Sequence, residues 1–400
     1  MALLPVDEAL SRVLEDAKPG PTEIVSLAAA GGRVLAEDVV AARDQPPFPA
    51  SAMDGYAVRA ADICNIPARL KMIGEAAAGR RFSGEVRSGE AVRIFTGAPL
   101  PKGADTVLIQ ENARRHEDGT IEVLDATDRG RHIRRAGLDF ARGKTVLSAG
   151  RELDAAALSL AASANQPTLR VHPTPLVAIL ATGDELVPVG AEPGPDQIVS
   201  SNGFGIAEIV RRAGGLALDL GIAPDREHAI ADALQSAQRA GAAVIVTIGG
   251  ASVGDHDLIG KVAADLGMER AFYKLAMRPG KPLMAGRIGS AAMLGLPGNP
   301  VSAVVCAKLF MQPLIRAMQG LPPGPEPLQA TLARDLPPEG DRQHYLRARL
   351  SPRDGLPAIE PFADQDSARL WLLAEADALL IRPAHDPARR AGERMGYLPL

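Results

Sequence analysis

Between residues 175 and 318, short β-prone apolar runs alternate with stretches of helical periodicity, and this alternation restricts the fold more than any other feature. The predicted strands are 176–181, 216–222, 242–248, 272–277 and 291–296. The predicted helices are 204–213, 225–240, 257–266 and 301–318. Such alternation is typical of an open α/β domain whose sheet is largely parallel. The sequence therefore predicts a central open-sheet α/β domain.

The sequence pattern differs on the two sides of this region. Residues 6–17 show helical spacing of apolar side chains, and residues 153–164 are alanine-rich and predicted to be helical. Between residues 66 and 150, short β-prone runs separated by glycine turns predict a small antiparallel sheet. A proline-rich linker at 321–327 precedes short strand-like runs that include 344–350 and 378–382. We therefore expect an α/β multidomain protein with an elongated mixed N-terminal region and small β domains.

Composition excludes several classes of protein. A hydrophobic fraction of 46% against 23% charged residues excludes a wholly disordered chain. The net charge of -4 argues against a protein that coats nucleic acid or an anionic membrane, so an anionic substrate must meet local cations. No apolar run reaches the roughly 20 residues needed to span a bilayer, and acidic residues precede any signal-like core. Cys64 and Cys306 match no metal spacing. We expect a soluble, cytoplasmic protein with reduced thiols.

Polar segments follow four of the predicted strands. They are Thr-Gly-Asp-Glu at 182–185, the glycine-rich stretch 249–257, Arg-Pro-Gly-Lys-Pro at 278–282 and Pro-Gly-Asn-Pro-Val-Ser at 297–302. Ligands of open parallel sheets bind outside the carboxyl ends of the strands. Because these segments would share that edge, the sequence predicts a site for an anion and a metal ion there.

The glycines of residues 249–254 would let backbone N–H groups approach a phosphate, although a plain tight turn explains them equally well. Asp255 would then serve as the N-cap of the next helix, and His256 is as compatible with a surface position as with a ligand. Asp257 is the better candidate for a magnesium ligand, with Glu185 as a second oxygen donor.

Cations form the most informative charge group. Residues 274, 276 and 278 would share one face of the predicted strand 272–277 and its extension, and Lys281 follows a Pro-Gly turn. Lys274, Arg278 and Lys281 would repel one another unless an anion lay among them, although a solvated edge remains the alternative. Asn299 and Pro300 would cap the last helix, making Ser302 and neighbouring N–H groups a further anion cradle.

Six segments resemble the molybdopterin molybdenumtransferase family, which comprises the MoeA proteins and the E domain of gephyrin. They are Ser-Ala-Met-Asp-Gly-Tyr-Ala at 51–57, Arg-Ile-Phe-Thr-Gly-Ala-Pro-Leu-Pro at 93–101, Thr-Gly-Asp-Glu-Leu at 182–186, Gly-Gly-Ala-Ser-Val-Gly at 249–254, Pro-Gly-Lys-Pro at 279–282 and Gly-Leu-Pro-Gly-Asn-Pro-Val-Ser at 295–302. They occur in the family's order and span nearly the whole chain.

The resemblance implies a homodimer of four-domain subunits. The domains would be an elongated dimerisation domain (1–41 and 134–172), a β-rich lid-like domain (42–133), the α/β molybdopterin- and nucleotide-binding domain (173–321) and a C-terminal β domain (322–400). It also implies insertion of molybdate into adenylylated molybdopterin with release of AMP, a requirement for Mg²⁺, and partners that include the adenylyltransferase and cofactor-accepting proteins.

Particular residues acquire roles through this resemblance. Asp257 corresponds to the metal-binding aspartate at the nucleotide. Implied molybdate contacts are Arg278, which stands where lysine is common, together with Lys281, Ser302 and Arg347. Asp54 and Thr96 match polar residues of the lid-like domain, although each segment alone would be interpreted as a turn, and Asp139 and Asp225 match further acids. The remaining substrate-binding candidates are Asp184, Glu185, Gly249, Gly250, Ser252, Pro297, Asn299, Pro300 and Ser367.

The C-terminal segment departs from the family pattern. It keeps one serine, Ser367, where the family shows more, and Trp371 and Leu372 stand at positions that are commonly small or polar.

Three other functions remain open at this level. They are molybdopterin adenylylation, a non-catalytic scaffold on the same fold, and a nucleotide pyrophosphatase. The first would consume ATP, the second would bind no nucleotide or molybdate, and the third would hydrolyse free dinucleotides.

Overall fold

The computed structural model describes residues 3–250, 258–324 and 326–400. The chain divides into two units, of which the larger comprises Met1–Glu23 and His172–Leu400 and the smaller comprises Ile24–Val171. None of the helices in the described ranges is long and apolar enough to cross a membrane.

The helices of the described ranges agree closely with the predicted ones. They are α1 (Val6–Leu14), α2 (Ala155–Ser163), α3 (Asn202–Arg212), α4 (Glu227–Arg239), α5 (Leu258–Asp265), α6 (Pro300–Cys306), α7 (Gln312–Ala317) and α8 (Leu370–Ala374), with short 3-10 turns at Leu27–Ala29, Ala60–Asp62 and Gln110–Asn112. A π-helical stretch, Ala307–Met311, joins α6 to α7, so the predicted helix 301–318 is continuous but changes its winding.

The smaller unit is built around a six-stranded sheet. The strands from Glu23 to Val171 are β1 (Glu23–Ser26), β2 (Val39–Val40), β3 (Ala50–Ser51), β4 (Gly55–Val58), β5 (Ala68–Ala76), β6 (Glu90–Ile94), β7 (Thr106–Ile109), β8 (Ala113–Arg115), β9 (Thr120–Val123), β10 (Ile133–Arg134), β11 (Thr145–Leu147) and β12 (Thr168–Val171). The sheet has the order β7-β4-β6-β5-β9-β8. The predicted sheet is confirmed, but β5 and β6 pair in parallel rather than antiparallel.

The larger unit contains the central sheet and a C-terminal sheet. Its strands are β13 (Leu176–Thr182), β14 (Leu186–Val187), β15 (Ile198–Val199), β16 (Leu216–Ala223), β17 (Val244–Ile248), β18 (Glu269–Lys274), β19 (Met277–Arg278), β20 (Pro282–Ile288), β21 (Ala291–Leu296), β22 (Leu328–Leu332), β23 (Gln343–Ser351), β24 (Ala358–Pro361), β25 (Ala378–Arg382) and β26 (Arg394–Pro399).

The central sheet has the order β16-β13-β17-β21-β20-β18 and confirms the open α/β domain. Strands β16, β13, β17 and β21 are parallel, whereas β20 runs antiparallel to both β21 and β18. The sequence pattern did not predict β20. Helices α3 and α6 cover one face and α4 and α5 the other, and successive β17 residues alternate between these two cores. Because both faces of this parallel sheet are buried, its strands have the continuous apolar sequences seen here.

The predicted strand 272–277 is wrong in its second half. Strand β18 ends at Lys274, and Met277 and Arg278 form β19, which pairs with Gln343 and His344 of β23 in the C-terminal sheet. The N–H of Leu275 donates to the carbonyl of Lys281, and Leu4 bonds to the backbone on both sides of Leu275. These contacts divide the strand, so residues 274, 276 and 278 do not share one strand face.

The C-terminal strands close into a small barrel. Strands β23, β24, β22, β26 and β25 are hydrogen-bonded in that order, and β25 pairs again with β23. The interior contains buried apolar side chains, among them Leu332, Ile359 and Leu380. Closure of the sheet removes free edges, which explains how so short a segment forms a packed β domain.

Candidate active site

A cleft of about 560 Å³ opens at the carboxyl ends of β13, β17 and β21. The predicted site residues that line it are Glu185, Gly249, Gly250, Pro297, Asn299 and Pro300. These residues come from three separate polar segments of the sequence. Parallel packing brings the three segments to one edge, as expected for an open α/β sheet.

Two glycines form one wall of the cleft. Gly249 and Gly250 have φ values of 96° and 63°, and the N–H of Gly249 donates to the carbonyl of Leu296 at 3.2 Å. A Cβ atom on Gly249 would lie 2.6 Å from the carbonyl oxygen of Thr182. Both the backbone conformation and the close approach therefore require glycine at position 249. The predicted site residues Ser252 and Asp257, with Asp255 and His256, lie outside the described residues.

Three carboxylates gather beside this cleft, at the ends of β13 and β16. The N–H of Asp225 donates to Oδ1 of Asp184 at 3.1 Å. Partial burial raises the pKa of Asp225, and the negative charges of Asp184 and Glu185 raise it further. Within the described ranges, no three His, Cys, Asp or Glu side chains are arranged as a ready-made metal site. The structure thus joins Asp225 to the predicted pair Asp184 and Glu185 as one acidic group.

The start of α6 differs from the predicted anion cradle. Asn299 occupies the N-cap position, but its side chain accepts no helix N–H and instead donates from Nδ2 to Oγ of Ser367 at 3.2 Å. The N–H of Val301 donates to the carbonyl of Ser367 at 3.2 Å, and Pro300 has no N–H. The carbonyl of Ser367 therefore already accepts the first available N–H group of α6. Ser302 is buried one residue further along.

Arg347 is buried on β23 and organises the segment that carries Ser367. Its guanidinium donates to Oε1 of Gln365 at 3.3 Å and to the carbonyl of Arg369 at 3.1 Å. Burial lowers the pKa of Arg347, and the charges of Asp364 and Asp366 oppose this shift. Arg347 therefore holds the segment 364–369, whose Ser367 contacts Asn299 of the cleft wall.

The cationic side chains lie near the same edge but on two sheets. Lys274, at the end of β18, is in register with Pro282, which lines the cleft, and Lys281 immediately precedes Pro282. Arg278 lies on β19 opposite His344. All three cations are exposed. The backbone therefore brings Lys274 and Lys281 to the cleft edge, while Arg278 belongs to the barrel sheet.

Within the smaller unit, Asp54 and Thr96 form a pair. Oδ1 of Asp54 accepts hydrogen bonds from the backbone N–H and the hydroxyl of Thr96, both at 2.8 Å. These bonds and the charge of Arg93 hold the pKa of Asp54 below its ordinary value. Asp139 and Gly97 line a groove of about 580 Å³ in this unit. The predicted residues Asp54, Thr96 and Asp139 are thus exposed polar groups of the smaller unit.

Four polar residues that line the central cleft were not among the individually predicted site residues, although Thr182 belongs to the predicted polar segment 182–185: Thr182, Ser200, Ser201 and Asn202. Asn202 lines the cleft, and its Nδ2 donates to the carbonyl of Gly298 at 2.7 Å. Thr182 also lines it, at the end of β13. For Thr182 and Asn202, the position in the sequence was a signal that could have identified them. Thr182 follows a predicted strand directly, and Asn202 stands just before a predicted helix, where polar residues commonly cap.

Family models match nearly the whole chain in three segments. Residues 4–165 match the MoeA N-terminal region (domain I and II), residues 178–317 match a probable molybdopterin binding domain, and residues 329–400 match the MoeA C-terminal region (domain IV). A molybdopterin molybdenumtransferase of Nostoc sp. is 36% identical over 389 residues, covering 95% of this chain and 89% of the relative. The chain belongs to the molybdopterin molybdenumtransferase family.

Further molybdopterin molybdenumtransferase relatives agree with this assignment. The Haemophilus influenzae molybdopterin molybdenumtransferase is 39% identical over 319 residues, which are 80% of this chain and 78% of that protein. The crystal structure of the molybdopterin biosynthesis MoeA protein from Pyrococcus horikoshii OT3 superposes with a TM-score of 0.83 at 28% identity, covering all of both chains. The matches at both ends of the chain do not favour the adenylyltransferase alternative, which resembles only the α/β domain.

Proposed function

We propose that this enzyme inserts molybdate into adenylylated molybdopterin, releasing AMP and the molybdenum cofactor. The observation that carries this proposal is the cleft at the carboxyl ends of β13, β17 and β21, which a glycine pair and Glu185 line and to whose edge the backbone brings Lys274 and Lys281. Family membership along the whole chain identifies the substrate class. The glycine pair and the nearby lysines are suited to bind the anionic groups of that substrate.

In this mechanism, the substrate phosphates rest against the backbone of Gly249 and Gly250, which line the cleft. Lys274, Arg278 and Lys281 neutralise the substrate phosphates and molybdate, which would otherwise repel one another. Ser302, Arg347 and Ser367 are the proposed molybdate contacts. An oxygen nucleophile, from molybdate or water, then forms a new P–O bond to the pterin phosphate as the phosphoanhydride bond to AMP breaks, and AMP leaves with the bridging oxygen and its electron pair.

Mg²⁺ fits the donor chemistry at this edge. Magnesium prefers oxygen ligands and is commonly held by one or two carboxylates together with substrate phosphates and water. Glu185 and Asp257 are the proposed ligands, and partial burial together with the charges of Asp184 and Glu185 raises the pKa of the neighbouring Asp225. When bound, the ion would supply positive charge to the phosphate oxygens.

The remaining features of the proposal concern assembly. We also propose that the protein is a cytoplasmic homodimer with four domains per subunit. An adenylyltransferase supplies its substrate, and cofactor-accepting proteins receive its product. Cys64 is an exposed free thiol, which suits a reducing compartment. Light scattering on purified protein measures the subunit number, and a monomeric mass at micromolar concentration would contradict the homodimer.

The decisive experiment measures AMP release from adenylylated molybdopterin with Mg²⁺, with and without molybdate. Molybdate-dependent release with formation of active cofactor is expected. Asp257→Ala should retain substrate binding and lose AMP release by about 100-fold or more. Asp265→Ala, an exposed aspartate on α5, is the matched control and should retain activity. Unchanged turnover of the Asp257 variant would remove its assigned role, and consumption of ATP would instead indicate adenylylation.

A further inference from the structure

Thr182 carries a buried hydroxyl beside the cleft. It is the last residue of β13, and only 2% of its surface is exposed. Its Oγ1 atom has no hydrogen-bond partner within the described part of the chain. A buried hydroxyl without a partner lowers stability, so such groups commonly serve a ligand or water that satisfies them.

The position of this hydroxyl connects it to the cleft. Oγ1 of Thr182 lies 3.1 Å from the place where a Cβ atom of Gly250 would stand, and 3.4 Å from the corresponding place at Gly249. Thr182, Gly249 and Gly250 all line the cleft. The hydroxyl therefore lies against the glycine pair that lines the cleft.

A second unsatisfied hydroxyl in the central sheet provides a comparison. Thr247 is fully buried on the neighbouring strand β17, and its Oγ1 also lacks a partner among the described residues. Thr247 is in register with Leu180, two residues before Thr182, and therefore lies deeper in the sheet. It does not line the cleft in the described ranges. The two threonines thus share chemistry and burial, but of the two only Thr182 belongs to the cleft lining within the described part of the chain.

We propose that the Thr182 hydroxyl donates a hydrogen bond to a phosphate oxygen of the adenylylated substrate when that phosphate rests on Gly249 and Gly250. This inference rests on the proposed function and adds a phosphate-binding residue to it. Lysines attract any anion, whereas a hydroxyl in a fixed position selects the placement of one oxygen atom. Thr182 accordingly fixes the phosphate in position while the exposed cations neutralise it.

The test compares three variants in the full-length protein. Thr182→Val removes the hydroxyl while keeping the shape, Thr182→Ser restores it, and Thr247→Val makes the same deletion away from the cleft. Calorimetry measures the dissociation constants of adenylylated molybdopterin, AMP and molybdate. Thermal unfolding without ligand reports folding, and neither valine variant should be less stable, because each removes an unsatisfied buried group.

Thr182→Val is expected to bind adenylylated molybdopterin about 10- to 100-fold more weakly, with molybdate affinity unchanged. Thr182→Ser should bind within about 3-fold of the wild type, and Thr247→Val should bind normally. Wild-type affinity in Thr182→Val, equal weakening in Thr247→Val, or weakening toward molybdate alone would each overturn the inference. If the wild type releases AMP, such a result affects Thr182 only. Wild-type protein that neither binds the substrate nor releases AMP would overturn the proposed function as well.

Discussion

Gly249 is the residue at which backbone geometry and function are most tightly joined. Its φ of 96° disfavours any side chain, and a Cβ would contact the Thr182 carbonyl at 2.6 Å. We expect Gly249→Ala to lose AMP release and to destabilise the fold by about 1–3 kcal/mol. Measurement of activity and urea unfolding checks both effects.

Gly241 provides the control for this prediction. It also has a positive φ, 76°, but a Cβ there would meet nothing within 4 Å. Gly241→Ala should therefore lose only about 1–2 kcal/mol of stability and keep its turnover. Full activity in the Gly249 variant would show that the cleft wall tolerates displacement.

Arg347 gives a second prediction at the residue scale. Lysine would keep the positive charge but lose the planar group that donates to Gln365 and to the Arg369 carbonyl. We expect Arg347→Lys to raise the KM for molybdate about 10-fold or more, because both the proposed contact and the Ser367 segment are disturbed. Arg349→Lys, an exposed change on the same strand, should leave KM unchanged. Equal KM values in the two variants would exclude a special role for Arg347.

At the scale of the element, the barrel depends on a buried charge network after β25. Asp386 accepts hydrogen bonds from Arg382 and Arg389, and Arg382 also donates to the carbonyls of Pro337 and Pro387. Burial alone would raise the pKa of Asp386, but the two arginines outweigh burial and hold that pKa below its ordinary value. The network fixes the loops at one end of the barrel.

Asp386→Ala should destabilise the larger unit by about 3–5 kcal/mol, because it leaves the buried Arg382 charge uncompensated. Asp341→Ala removes an exposed partner of Arg342 and should change stability by no more than about 1 kcal/mol. Urea unfolding of both variants gives the comparison. Similar midpoints for the two would mean that water reaches Arg382.

Elements also explain where sequence interpretation was wrong. The run 272–277 has the composition of one strand, but Leu4 and Lys281 supply backbone partners to residues 274–276 and divide it. Leu4 is far from this run in sequence, and Lys281 lies across a turn from it. The β-propensity of the run depends on neither partner. The register of Lys274 and Arg278 could therefore not be predicted from the run itself.

At the scale of the whole molecule, His344 makes stability depend on pH. Burial lowers the pKa of His344, and the nearby charges of Arg278 and Arg382 add to this effect, while Glu339 opposes it. Below about pH 6.5, the unfolded chain binds a proton that the folded protein resists. The free energy of unfolding should therefore fall as the pH drops from 7 to 5.

His344→Gln should make that decline shallower, because the variant removes the titrating group and keeps a polar side chain beside Glu339. His228→Gln, on the exposed surface of α4, is the matched control and should follow the wild type. Urea unfolding at several pH values provides the measurement. An unchanged slope in His344→Gln would assign the pH dependence to other groups.

The alternating α/β domain follows from local sequence patterns, because buried parallel strands require long apolar runs and amphipathic helices have a recognisable periodicity. The sequence pattern also placed Gly249, Glu185 and Asn299 near one another, since the carboxyl ends of parallel strands meet at one edge. Motif order along the chain was sufficient to recognise the family, which the relatives confirm.

Which hydrogen-bond donors already have partners depends on the tertiary structure. Ser367 takes the N–H of Val301, Arg347 is turned inward to hold its own loop, and β19 joins the barrel rather than the central sheet. That the Thr182 hydroxyl has no hydrogen-bond partner among the described residues likewise becomes visible only in the tertiary structure. Hydrogen-bond satisfaction depends on contacts between residues far apart in sequence, and no local pattern encodes it.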